Sequence, residues 1–310
     1  DLSLNRNASV IVMTTEIFRN MLYAEFDEDD DPLADVETVV LDECHYMNDS
    51  QRGTVWEESI IHCPSSIQFV ALSATVANAG QLTDWIQEVH GPTDLVSSDF
   101  RPVPLEFKFC SKKGLHPLLN DQGTGLHPNN KVWRAPKGHK RKGRFSKPPQ
   151  PESPSLNFVI SQMAERDMLP SIYFIFSRRG CDRAVRELGT QCLVTLKQQE
   201  IIRSRLGKYI ELNPEGVRDS MHVDALLRGI ASHHAGVLPA WKELIEELFL
   251  KGLVKVVFAT ETLAAGINMP ARSTVISVLS KRTESGHRQL MSSEFLQMSG
   301  RAGRRGLDSK

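Results

Sequence analysis

The sequence predicts an α/β protein with two doubly wound parallel sheets in tandem, and three observations carry that reading. Short apolar runs recur at residues 9–13 (SVIVM), 39–41 (VVL), 67–72 (IQFVAL), 171–176 (SIYFIF), 254–259 (VKVVFA) and 274–279. Runs of this length suit strands buried on both faces of a parallel sheet. Stretches with helical spacing alternate with them, as in Leu82, Trp85, Ile86 and Val89 before Gly91-Pro92, and strand–helix alternation with short links gives parallel order. Finally, the runs stop on acids, hydroxyls or arginines, which places polar chemistry at the carboxyl edge, where such sheets hold ligands.

A chain of 310 residues has room for two domains of ordinary size, and 40% hydrophobic with 24% charged residues is a globular, soluble composition. The expected division is a first domain over 1–110, a basic flexible linker over 111–155 and a second domain over 156–310. The net charge of -1 hides an acidic run at residues 27–31 and a basic stretch later on, so it argues neither for nor against nucleic acid. No apolar run is long enough to cross a bilayer, and the start does not read as a secretion signal. Because Asp1 is not a natural first residue, the sequence reads as an excised piece. Five scattered cysteines without a C-x-x-C pair argue against zinc or a disulfide framework and are expected as buried, reduced thiols.

In the first domain, residues 9–13 are an expected strand, and Thr14-Thr15-Glu16 opens a helix through Tyr23. The threonines are either a helix cap alone or also hold a backbone phosphate of a nucleic acid. The central run, 36–45 (VETVVLDECH), stops at Asp42 and Glu43. Adjacent carboxylates at a buried strand's end can divide the work of phosphoryl transfer, one holding magnesium and the other activating water; a solvated loop is the plainer reading of two acids alone. Residues 56–61 suit a helix, and residues 67–72 a strand ending at Ser73-Ala74-Thr75. Residues 101–104 (RPVP) and 105–109 look like a crossover out of this domain.

Residues 122–151 hold no acid but eight cations: Lys131, Arg134, Lys137, Lys140, Arg141, Lys142, Arg144 and Lys147. The segment reads either as an arm attracted to phosphates or as solvated linker. In the second domain, residues 171–176 run into Ser177-Arg178-Arg179-Gly180 and a helix. Residues 191–230 read as two or three helices. The neighbouring His233 and His234 invite a metal reading, but no third ligand follows at suitable spacing. Pro239 sits well at a first helical position, and residues 254–259 end at Thr260. Ser292 or Ser293 is the expected cap of a last helix leading into residues 297–305 (QMSGRAGRR), whose arginines among small residues can face an anion or only cap carbonyls.

In order, Asp-Glu-x-His, Ser-Ala-Thr, a hydroxyl–arginine strand end, Thr-Glu-Thr-Leu-Ala-Ala-Gly-Ile-Asn and Gln-x-x-Gly-Arg-x-Gly-Arg resemble the motif set of the superfamily-two DExH-box helicases. His-His-Ala-Gly and Glu-Thr-Leu-Ala-Ala-Gly-Ile-Asn-Met-Pro-Ala resemble their superkiller-like branch, and Asp-Glu-Cys-His with Phe-Ile-Phe-Ser-Arg-Arg-Gly-Cys-Asp resembles its cyanobacterial and chloroplast members. The resemblance covers nearly the whole chain except the basic segment and parts of 191–222.

It implies two RecA-like domains and an ATP-dependent RNA helicase. ATP and magnesium would be its cofactors, RNA its partner together with RNA-processing or decay factors, and the chloroplast stroma or a cyanobacterial cytoplasm its place. By the same resemblance, Asp42 holds magnesium and Glu43 activates water, while His45, Ser73 and Thr75 couple nucleotide state to grip. Gly266, Asn268, Gln297, Arg301 and, as arginine finger, Arg304 face the nucleotide. Thr14, Thr15, Ser177, Arg178 and Thr260 contact strand phosphates. The phosphate-cradling G-x-x-x-x-G-K-S/T occurs nowhere, so the chain alone is expected not to hydrolyse ATP appreciably. A DNA helicase of the same branch and a non-catalytic RNA-binding scaffold remain as competing readings, the second disfavoured by the presence of Asp42, Glu43 and Arg304.

Overall fold

The computed structural model describes residues 5, 8–24, 31–48, 53–73, 78–98, 100–127, 153–216, 220–264, 267–283 and 286–309. The chain divides into two compact units, Asp1–Phe100 and Arg101–Lys310.

The first unit comprises α1 (Thr15–Tyr23), β1 (Thr38–Leu41), α2 (Gly53–His62), β2 (Gln68–Ala71) and α3 (Ala79–Val89). β1 and β2 pair in parallel, with Thr38 opposite Gln68 and Leu41 opposite Ala71. Their shared face packs on Trp56 and Ile60 of α2 and Ile86 of α3, all buried with Leu41. A second cluster gathers Phe18, Cys63 and Ile67.

Two expectations are corrected here. Residues 9–13 are not a strand: Val10 is 80% and Val12 92% exposed. Apolar sequence without a hydrogen-bonded neighbour does not make a ladder. Nor is β1 buried on both faces, because Val40 is 58% exposed while Leu41 is buried. The period of two sends one face of this sheet to the helices and leaves the other uncovered by described residues.

The second unit opens with an antiparallel hairpin, β3 (Lys108–Ser111) and β4 (Gly114–Pro117), packed on α4 (Leu156–Glu165). Residues 111–117, assigned from sequence to the linker, thus fold with the second unit; the basic stretch from Lys131 to Lys147 lies outside the described residues. The chain continues through β5 (Ser171–Phe174), α5 (Arg178–Glu187), α6 (Leu196–Leu212), α7 (Ser220–Leu227), β6 (Ile230–His233), α8 (Pro239–Leu250), β7 (Val256–Ala259) and β8 (Ser273–Ile276). It ends with β9 (Ser280–Thr283), β10 (Gly286–Gln289) and α9 (Ser292–Ser299).

β6-β7-β5-β8 form a four-stranded sheet, parallel throughout. Alternate strand residues feed two cores. Ile172, Phe174, Ala231, Val257 and Ala259 pack with α6 and α8 on one face, and Ile230, Val256 and Phe258 pack with α4 and α5 on the other. Each fully buried large apolar side chain is worth about 1.5–3 kcal/mol, so this doubly covered sheet is the rigid part of the unit.

Local signals fix the helix starts. The Ser177 hydroxyl accepts the Gly180 N–H at α5, Thr195 and Gln198 form a capping box at α6, and Pro239 opens α8. α9 begins at Ser292, with Met291 at the cap position, so neither expected serine caps it; instead Glu294 accepts the Met291 N–H at 2.8 Å. Cys44, Cys63 and Cys181 are buried as expected, but Cys110 is half-buried and Cys192 exposed; all five are free.

Candidate active site and nucleic-acid edge

Asp42 and Glu43 are pushed out of the β1–β2 ladder. Leu72 N–H donates to the Leu41 carbonyl and Cys44 N–H to the Leu72 carbonyl, both at 2.9 Å, so pairing resumes beyond the acids. Glu43 takes a left-handed φ of 55° to make this bend, a conformation uncommon for a residue with a Cβ and frequent at functional turns. Its N–H donates to Asp42 Oδ1 at 2.8 Å. Trp56 on α2 fixes the same spot, its indole N–H donating to the Asp42 carbonyl at 3.2 Å. His45 Nδ1 lies 3.2 Å from Glu43 Oε2, close but without hydrogen-bond alignment. The His45 ring stacks on Tyr46 at 4.8 Å. Burial, and then the charge of Asp42, push the Cys44 thiol up to about 12, so it stays protonated beside the acids.

Asp42 is exposed and its Oδ2 has no partner among the described residues. No cluster of three or more His, Cys, Asp or Glu suited to a metal occurs among those residues either. One free hard oxygen fits magnesium, which keeps most of its waters and takes phosphate oxygens in place of an all-protein cage. A cavity of about 260 Å³ near the 3-10 turn Cys44–Asn48 is lined by His45, Leu82 and Trp85 but by neither acid, so it is not where the acids would act.

In the second unit the arginine loop follows α9. Arg301 Nε donates to the Ala264 carbonyl at 2.9 Å and Nη1 to that of Ile267 at 2.5 Å, with Nη2 also on Ala264. The guanidinium is thus engaged with backbone on either side of residues 265–266. Arg304 makes a two-pronged contact with Asp308, Nε to Oδ2 at 2.9 Å and Nη2 to Oδ1 at 2.7 Å, and its own N–H adds a bond to Oδ2 at 2.8 Å. Those bonds hold the Asp308 carboxyl below the usual range and raise the Arg304 guanidinium. Gln297 is half-buried, and its buried Nε2 has no partner among the described residues, leaving a donor for an anion. Asn268 is exposed.

Arg101 pins this loop, donating to the Ala302 carbonyl at 2.5 Å and to that of Gly300 at 3.2 Å. Gly303, at φ +85°, lies so close to Val103 that a Cβ would meet it at 2.8 Å. The RPVP stretch, read from sequence as a crossover, is therefore the bed of the arginine loop.

Unit 2 presents different groups at its two sheet edges. Gly303 N–H donates to the Ala271 carbonyl and Ala271 N–H to that of Arg301, both at 2.8 Å, which sets the loop beside the start of β8. The charge of Arg304 acts on Lys255, just before β7. Ser177 and Arg178 follow β5, and Thr260 follows β7, at the opposite, carboxyl edge. Ser177 accepts from Gly180, which leaves its own O–H free to donate. Arg178 is exposed, and Thr260 Oγ1 lies 2.9 Å from Thr262 Oγ1.

In unit 1, Thr14 precedes α1 with extended backbone but makes no side-chain cap bond. It is exposed, Thr15 is half-buried and Ser73 is exposed. Thr75 and Gly266 lie outside the described residues. Sequence reasoning passed over Trp56, Arg101 and Asp308. Only Asp308 carried a signal, an acid four residues after an arginine.

The DEAD/DEAH box helicase family matches residues 1–82, and the helicase conserved C-terminal domain matches residues 185–306. The chain is 43% identical, over its whole length, to 30% of the DExH-box ATP-dependent RNA helicase DExH15 chloroplastic of Arabidopsis thaliana. It is 41% identical, over 99% of its length, to 36% of the probable helicase HelY of Mycobacterium tuberculosis (strain ATCC 25618 / H37Rv). It is also 36% identical, over its whole length, to 31% of the exosome RNA helicase MTR4 of Mus musculus. The chain spans about a third of the length of the curated relatives it matches. With tandem RecA-like α/β units, acids at a parallel strand's end and an arginine loop in the second unit, the chain belongs to the DExH-box helicases of superfamily two.

Proposed function

We propose that this chain is the motor portion of an ATP-dependent RNA helicase acting in RNA processing or decay, in which nucleotide turnover drives movement along one RNA strand. The observation that carries it is the two-edged sheet of unit 2: the arginine loop lies beside the start of β8, while Ser177, Arg178 and Thr260 follow β5 and β7. One rigid sheet can then answer to a nucleotide at one edge and to a strand at the other.

Asp42 would hold magnesium through its free oxygen, and that ion would neutralise phosphate charge. Glu43, set beside it by the left-handed bend, would orient and deprotonate water. Gln297 would donate its unpartnered amide N–H, and Arg304 would offer the guanidinium edge that Asp308 leaves open. Arg301, bonded to the carbonyls of Ala264 and Ile267, would act by fixing that backbone as well as by its charge. Gly266 and Asn268 would line the same side. Thr14, Thr15, Ser177, Arg178 and Thr260 would grip strand phosphates, and His45, Ser73 and Thr75 would carry the nucleotide state to that grip. The relatives' printed names, RNA helicases of the chloroplast and of the exosome, support RNA as the strand, exosome-type decay factors as partners and a chloroplast setting; a cyanobacterial cytoplasm stays the alternative setting. Among the described residues no helix is long and apolar enough to cross a membrane.

The test is ATP turnover by the full-length gene product with no nucleic acid, single-stranded RNA or single-stranded DNA. Stimulation mainly by RNA supports the reading. Stimulation mainly by DNA overturns the RNA assignment, and no turnover under any condition leaves a binding scaffold. The 310-residue chain alone, which has no Gly-Lys-Ser or Gly-Lys-Thr, is expected to show no turnover above background.

A further inference from the structure

The adjacent histidines at the end of β6 take no part in that reading, and the structure gives them separate partners. His233 Nε2 lies 2.8 Å from Glu246 Oε1 on α8, while His234 Nε2 lies 3.0 Å from Asp182 Oδ1 on α5. Successive strand side chains point to opposite faces, so adjacency in sequence separates the two rings.

Asp182 is the hub of the second contact. Its Oδ1 also accepts the Ser232 hydroxyl at 3.0 Å, and His222 Nε2 stands 3.8 Å away. The other nitrogen of His234, Nδ1, accepts the Gly236 N–H at 3.1 Å. A nitrogen that accepts an amide proton carries none of its own, so the ring is the neutral Nε2–H tautomer and donates to Asp182. The His234 side chain is only 6% exposed, and one carboxylate oxygen thus fixes the ring, and through it the 234–236 turn.

That turn supports Arg178. A Cβ built on Gly236 would lie 3.2 Å from His234 Nδ1 and 3.8 Å from Arg178 Cδ, so the arginine stem lies over a bare glycine. The Arg178 side chain is exposed and has no hydrogen-bond or ion-pair partner among the described residues. We propose that Asp182 is a positioning residue for the grip on RNA: through His234 it fixes the 234–236 turn beneath Arg178, so that the guanidinium meets a strand phosphate already aimed. The proposal rests on the reading of Ser177 and Arg178 as phosphate contacts. A guanidinium on a fixed platform loses less freedom on binding than one on a mobile loop.

The experiment is binding of fluorescein-labelled single-stranded RNA to the 310-residue chain, followed by anisotropy, with ¹⁵N shifts of the histidine rings recorded in parallel. Asp182→Ala is expected to weaken binding about tenfold, and Asp182→Asn, which keeps an acceptor oxygen, by no more than about threefold. In an Arg178→Ala background the Asp182→Ala penalty should vanish, because residues acting through one another are not additive. The His234 shifts should change from the pure Nε2–H pattern to a tautomer mixture in Asp182→Ala. If Asp182→Ala does not fold, His234→Gln replaces it, with the same expected loss and the same suppression by Arg178→Ala. Unchanged affinity in Asp182→Ala, or an equal penalty with and without Arg178, overturns the proposal. Failure of the unmodified chain to bind RNA overturns the nucleic-acid reading beneath it, whereas a wild-type ring that is not the Nε2–H tautomer overturns the positioning alone.

Discussion

Arg304 has one edge of its guanidinium committed and one edge open. Nε and Nη2 bind Asp308, whose side chain is fully inaccessible, while Nη1 has no bond among the described residues. A planar fork clamped on one side presents the other in a fixed direction, which a flexible ammonium does not do. Arg304→Ala is therefore expected to lower RNA-stimulated ATP turnover by the full-length gene product about a thousandfold, the range of an arginine finger, with Arg304→Lys recovering little of it. Asp308→Asn should cost about tenfold in kcat and leave RNA affinity unchanged, because it blurs the aim without removing the charge. A normal rate in Arg304→Ala would remove this residue from the site. In unit 1, Trp56→Phe deletes the bond to the Asp42 carbonyl and also shrinks a buried ring packed on Tyr46, so it should lower stability by about 2 kcal/mol in denaturant titration. The break in the ladder at Asp42 and Glu43 was legible, because two acids interrupt an apolar run. Arg101 and Trp56 were not, because they act by donating to backbone carbonyls, and nothing in a sequence marks which carbonyl is near.

At the scale of elements, α9 is held by alternating charges that reach beyond it. Glu261, in the 3-10 turn after β7, pairs with Lys281 of β9 at 2.6 Å, Lys281 with Glu294 of α9 at 2.6 Å, and Glu294 with Arg288 of β10 at 2.6 Å. Burial works against the Glu294 charge, but bonds from Arg288, Lys281 and the Met291 N–H outweigh it and hold the carboxyl at about 2. A carboxylate with a lowered folded pKa contributes stability that is fully present above its unfolded pKa. For Glu294 that contribution fades as pH falls from its ordinary 4.5 toward 2. Melting curves between those limits should therefore show a larger acid loss in the native protein than in Glu294→Gln; parallel curves would mean that the network does not hold the element. None of this network was legible, since its members lie on four elements and no pair has the three- or four-residue spacing of a helix face. Of the four-stranded sheet, β5, β7 and β8 were legible, because runs such as residues 171–176 are covered on both faces by helices the same sequence supplies; β6 (Ile230–His233), whose Ser232 and His233 break the apolar pattern, was not. Residues 9–13 misled for the converse reason: Val10 and Val12 have β propensity but no described strand to pair with, and propensity without pairing is weak.

Under the proposed function the chain would tie two chemistries to one sheet, and that arrangement makes a prediction no single residue does. The arginine loop is held at the start of β8 by Ala271 and by Arg101, while Ser177, Arg178 and Thr260 stand where β5 and β7 end. The strands between are closely packed, with Ile172, Phe174, Val257 and Phe258 fully buried, and a close-packed interior transmits displacement instead of absorbing it. Substitutions at the two edges should then separate in kinetics. Arg178→Ala and Thr260→Val are expected to raise the RNA concentration that half-saturates ATP turnover by about three- to tenfold, with kcat at saturating RNA nearly kept, since each would remove a proposed contact to the strand. Gly303→Ala, which would bring a Cβ within 2.8 Å of Val103 at a left-handed φ, should lower kcat at every RNA concentration and leave the half-saturation point in place. The measurement is a titration of turnover by the full-length gene product against single-stranded RNA for each variant. Arg178→Ala acting only on kcat, or Gly303→Ala acting only on half-saturation, would show that the edges are not divided between strand and nucleotide, and the sheet would then be a scaffold for one site instead of a link between two.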